Sequence, residues 1–169
     1  MTVRLEPIYL ANVILFIDDD ETIKEFPFIS KNCQEAMFVL KVNPAEFAYD
    51  QEEILTFFPN LNTLVLEKVA CLNQVEDLPD TITGIVITEM DFNNIPEEAL
   101  RFCDRVVEIR ASFWCRSSAN FAPFPNLERV VLDGVPDDVT LPDHRLKRLT
   151  LGGWNDSFTN PFSVFPPEC

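Results

Sequence analysis

Phe124-Pro125-Asn126-Leu127-Glu128-Arg129-Val130-Val131-Leu132 decides the fold. Leu127, Val130 and Leu132 follow an apolar-x-x-apolar-x-apolar pattern that recurs along the chain. The other copies are Leu61-Leu64-Leu66, Ile82-Ile85-Ile87, Val106-Ile109-Ala111 and Leu146-Leu149-Leu151. They begin at 61, 82, 106, 127 and 146, which are 21, 24, 21 and 19 positions apart. A short period of this kind predicts a solenoid of stacked parallel strands, each turn burying its apolar residues against the next.

Each copy follows a related phrase: Phe58-Pro59-Asn60, Leu78-Pro79-Asp80, Phe102-Cys103-Asp104, Phe124-Pro125-Asn126 and Leu141-Pro142-Asp143. The apolar residue is suited to plugging the end of the core. Proline ends the preceding segment, and Asn or Asp turns the chain through side-chain-to-backbone bonds. Period and spacing together resemble the leucine-rich repeat family. The resemblance implies an α/β solenoid, an arc of about five parallel strands over residues 58–169, with function as a binding surface. The ninth position, where the family carries Asn or Cys, holds Val69, Met90, Trp114, Val135 and Trp154, so irregular bends are expected. Trp114 and Trp154 read either as core or as exposed binding anchors. The stretch Asn94-Ile95-Pro96-Glu97-Glu98-Ala99-Leu100-Arg101-Phe102 predicts a short helix and accounts for the longest spacing.

Alternation along a strand places the residues between the buried positions on the opposite, concave face. Aligned by copy, one row reads Thr63, Gly84, Glu108, Arg129, Arg148. The next reads Val65, Val86, Arg110, Val131, Thr150, and a third Glu67, Thr88, Ser112, Asp133, Gly152. Val65, Val86 and Val131 either form an apolar anchor or only suit strand propensity. Arg110, Arg129 and Arg148 either recognise a carboxylate-rich or phosphorylated segment or pair internally, with Glu108 the cross-strand partner of Arg129.

Residues 1–57 read as a helical cap. Leu5, Pro7, Leu10, Ile14 and Ile17 recur at helical spacing. Asp18-Asp19-Asp20 marks a boundary before Ile23, Phe26, Phe28 and Ile29. Residues 30–40 read as an amphipathic helix, and Asp50-x-x-Glu53 as a capping box leading to a further helix. Leu5, Pro7, Leu10, Ile14 and Ile17, followed by Phe28-Ile29-Ser30-Lys31-Asn32-Cys33, resemble an F-box. That family is a three-helix motif that joins substrate adaptors to the linker subunit of a cullin-type ubiquitin ligase. The resemblance implies that Leu5, Pro7, Leu10, Ile14 and Ile17 supply an apolar docking face. The other reading is a cap that shields the first turn.

The net charge of −15 disfavours nucleic acid as a partner. It serves either solubility or a basic partner. Five cysteines without C-x-x-C spacing, and a single histidine, give no metal or cofactor site. The first residues lack the form of a secretory signal, and no apolar run is long enough to span a membrane. A reducing compartment, cytoplasm or nucleus, is expected. The four glycines form no phosphate-cradling loop, and His144 falls in a predicted turn without a nucleophile. A non-catalytic protein-interaction module follows, either an F-box-like adaptor or an acidic leucine-rich regulator that binds a basic protein or inhibits an enzyme. Phe165-Pro166-Pro167-Glu168-Cys169 resembles the introducing phrase once more, so an uncovered repeat edge would invite self-association.

Overall fold

The computed structural model describes residues 5–44, 51–68, 71, 77–92, 95, 97–112, 118–144 and 146–152. The expectations placed on Asp50, Val69, Asn94, Pro96, Trp114, Trp154 and residues 165–169 fall outside them.

Four helices come first: α1 (Pro7–Ile14), α2 (Asp20–Ile29), α3 (Lys31–Val39) and α4 (Gln51–Phe57). Proline in the first turn of α1 costs no hydrogen bond, because that N–H has no partner in the helix anyway. Asp19 caps α2 by accepting from the Thr22 N–H, and Ser30 caps α3 by accepting from the Cys33 N–H. Thr22 also holds the Asp19 carboxyl below the usual carboxylate range. Ala11, Ile14, Ile23, Phe26, Cys33, Ala36 and Met37 turn inward and join the core of the sheet.

The sheet has five parallel strands in chain order: β1 (Thr63–Lys68), β2 (Gly84–Glu89), β3 (Val106–Ser112), β5 (Arg129–Asp133) and β7 (Arg148–Gly152). Two short strands, β4 (Ser118–Asn120) and β6 (Asp138–Thr140), pair in parallel as a second ladder between them. Successive turns therefore stack twice over, a parallel-strand solenoid with helices at its N-terminal end. Nothing in the apolar pattern announces β4 and β6, which are only three residues each.

The inward residues of the first four copies are buried, including Leu64, Ile85, Ile109 and Val130. In the last copy Leu146, Leu149 and Leu151 are half-buried. Phe58, Leu78, Phe102 and Phe124 plug the core end as their phrases predict, whereas Leu141 is exposed. At the ninth position Met90 is buried and Val135 faces outward. The asparagines of the phrases tie one turn to the turn before. Asn60 Nδ2 donates to the Phe38 carbonyl at 2.9 Å, and Asn126 Nδ2 to the Asp104 carbonyl at 2.7 Å. Where the third phrase lacks proline, Arg105 does the tying. Its Nη1 donates to the carbonyls of Leu78, Pro79 and Ile82 in the preceding turn. The predicted helix is a 3-10 helix, Glu97–Arg105, that runs directly into β3.

That junction changes the register. Val106 pairs with Ile85, and after an irregularity between Ile85 and Val86 the partners are Val86 with Glu108 and Ile87 with Ile109. The copy-by-copy alignment set Val86 opposite Arg110 and Ile87 opposite Ala111, so past the irregularity β3 lies two residues away from the expected pairing. An even shift leaves each residue on its face but rebuilds the rows. One row now reads Val65, Val86, Glu108, Arg129, Arg148, and Arg110 instead leads Val131 and Thr150.

Residues 41–43 close the first edge. Val42 bridges Thr63 in parallel, and the Lys41 carbonyl accepts from the N–H groups of Asn62 and Thr63. Asn43, buried, acts as a peptide group would. Its Oδ1 accepts from the Val65 N–H at 2.7 Å and its Nδ2 donates to the Val65 carbonyl at 2.9 Å. An unpaired strand edge is thereby satisfied without another strand. Asn43→Ala strands both backbone groups of buried Val65, and we expect a loss of roughly 2–4 kcal/mol. Urea unfolding followed by circular dichroism should show a lower midpoint with an unchanged slope.

Candidate interaction surfaces

On the outer face of the sheet, the row Val65, Val86, Glu108, Arg129, Arg148 passes from buried to open. Val65 and Val86 are only 7% and 6% exposed, so of the two readings of this row strand propensity fits them and an open apolar anchor does not. Val131 is half-buried, and Arg110, Arg129 and Arg148 are exposed. The accessible part of the face therefore lies over β3, β5 and β7.

Glu108 is the exception, a carboxylate 6% exposed beside Val86. A buried charge is tolerated only when it is paired. Arg110 Nε donates to Glu108 Oε1 at 2.9 Å, and Arg129 Nε lies 3.1 Å from Oε2. The expected pairing of Glu108 with Arg129 is present, and Arg110 supplies a second partner from the same strand. Both arginine side chains remain about half exposed, at 51%. Arg148, the registered neighbour of Arg129, forms no ion pair among the described residues.

A second surface lies on the helices. Of the residues read as a docking face, Ile14 is fully buried, and Leu10 and Ile17 pack partly against the core. Pro7 is half-buried and Leu5 is exposed. The stripe Leu10, Ile14, Ile17 is therefore mainly a packing face. The exposed apolar residues are others: Ile8, Tyr9, Val13 and Phe16 in and just after α1, Phe28 and Ile29 at the end of α2, and Phe38 and Val39 at the end of α3. Phe16 and Phe28 are 87% and 84% exposed. Tyr9, Val13 and Phe16 recur at four and three positions, a second helical stripe visible in the sequence but masked by the first.

His144 sits in the turn before β7 with its Nε2 against the Leu127 carbonyl, and is half-buried there. Cys33 and Cys103 are buried. Burial, with a smaller contribution from the Asp104 carboxylate, pushes the Cys103 thiol up to about 11, which makes it a poor nucleophile. Among the described residues no group of three His, Cys, Asp or Glu side chains is arranged to hold a metal ion. No helix among them is long and apolar enough to cross a membrane.

Removing the two ends of the ionic cluster should have unequal effects. Glu108→Leu removes the buried charge, leaves two arginines that water can solvate, and is expected to change stability by less than about 1 kcal/mol. Arg110→Ala with Arg129→Ala leaves the carboxylate uncompensated and is expected to cost roughly 3 kcal/mol. Denaturant midpoints of the two variants against the parent test the inequality.

Comparison with protein-family models, with curated proteins and with solved structures returned no match.

Proposed function

We propose that the protein is a non-catalytic interaction module of the F-box-like adaptor type. Its helices dock on the linker subunit of a cullin-type ubiquitin ligase, and the outer face of its sheet holds the partner to be presented. The observation that carries this reading is the set of apolar side chains left in the open on α1, α2 and α3 and just beyond them, Phe16 and Phe28 above all. Scattered exposed apolar residues need no explanation, but several large ones on successive short helices support the reading of a protein-binding surface. The three-helix arrangement in front of a repeat surface fits the resemblance carried by Leu5, Pro7, Leu10, Ile14 and Ile17. The docking residues are those pointing outward, Ile8, Tyr9, Val13, Phe16, Phe28 and Ile29, with Leu5 shared between the two sets. Ile14 supports that surface from beneath.

The test is retention of purified linker subunit on the immobilised protein. The intact chain is expected to retain it. Phe16→Asp with Phe28→Asp is expected to lose it while the circular dichroism spectrum stays the same, because neither ring contributes to the core. No retention by the intact chain, or equal retention by the variant, would overturn the reading.

A further inference from the structure

We propose that Arg110, Arg129 and Arg148 form a docking site for an acidic peptide segment, bound through its Asp or Glu carboxylates. The inference rests on the sheet face being the surface that holds a partner, and names the chemical class of that partner. Glu108 engages Arg110 and Arg129 through Nε, one edge of each guanidinium group. Both side chains nevertheless stay about half exposed, so their guanidinium groups remain open to a further carboxylate. Because Glu108 is buried, it fixes both guanidinium groups from below, and the entropy of ordering them is spent before a ligand arrives.

Charge points the same way. Arg129 and Arg148 are registered partners on adjacent strands, about 4.8 Å apart. Like charges set side by side in this way repel. Two guanidinium groups meet one buried carboxylate and a third stands beside them, an excess of positive charge on a chain whose net charge is −15. The acidic residues nearby do not remove it. Glu128 is paired with Lys147, and Asp133 lies four residues beyond Arg129, level with Ser112 and Gly152. Val131 and Thr150, both half-buried, continue the row from Arg110 and give a ligand a largely uncharged floor. Three guanidinium groups spread over three adjacent strands suit carboxylates spaced along a segment better than the single focus of one phosphate group.

The experiment is fluorescence polarisation of the full chain with a labelled peptide of alternating Glu and Ser. The same peptide with Gln for Glu, and one with phosphoserine in a Gln background, serve as comparisons. We expect the Glu peptide to bind about tenfold more tightly than the Gln peptide, with affinity falling as salt rises. Arg148→Glu, which breaks no ion pair among the described residues, is expected to weaken binding of the Glu peptide at least about tenfold without altering the circular dichroism spectrum. Phe16→Asp with Phe28→Asp should leave that binding unchanged, so a failure of helix docking and a failure of this site read out separately. Absence of binding, equal binding of the Gln peptide, binding of the phosphoserine peptide alone, or full affinity in Arg148→Glu would each overturn the proposal.

Discussion

One backbone contact repeats at the entry to the strands. The carbonyl of a residue just ahead of a strand, or in its place, receives N–H groups from the following turn. Lys41 accepts from Asn62 and Thr63, Asn62 from Thr83 and Gly84, and Glu128 from Lys147 and Arg148. The β3–β5 step uses the Val107 carbonyl and the Glu128 N–H. Forked bonding of this kind sets the height and direction at which each strand meets its neighbour. The apolar residues can fill the core only because the backbone has already been delivered in line. Asn60, Asn126 and Arg105 reinforce the same joints with side chains.

The β2–β3 joint departs from this pattern, and the outer face takes its character from the departure. The 3-10 helix ends at Arg105 and hands the chain to β3 without a spacer. Glu108 thereby comes to lie beside Val86, in an otherwise apolar stretch of the row. A carboxylate in that position demands counter-ions, and Arg110 and Arg129 supply them from its own strand and the next. The arginine row stays positive because Glu108 is used from below.

The five parallel strands are legible in the sequence because the solenoid core imposes a fixed apolar spacing on every turn, and Leu61, Ile82, Leu127 and their fellows obey it. The helix boundaries at Asp18-Asp19-Asp20 and at residue 30 are legible for a similar reason, as the caps that set them are local bonds. Register is not local. Counting from Leu61, Ile82 and Val106 cannot say whether three extra residues lie in the connection or advance the strand, and part of them advances it. β4 and β6 escape notice because three residues are too few to show a period. On α1 two apolar stripes compete, and helical spacing alone does not tell which of them, Leu10 and Ile14 or Tyr9 and Val13, turns inward. Packing against α3 and the rest of the core decides that.

Asn43 stands where a strand before β1 would run and offers Val65 the donor and acceptor of a missing peptide. The two residues are separated by 22 positions. Each later strand of the five-stranded sheet likewise has a partner already behind it in the chain. A ribosome releases such a chain in the order in which it can fold. Once residues 41–43 are in place the first strand has a template, and each completed turn becomes the template for the next. Synthesis and assembly then run in the same direction, and the exposed edge at any moment is only one turn long.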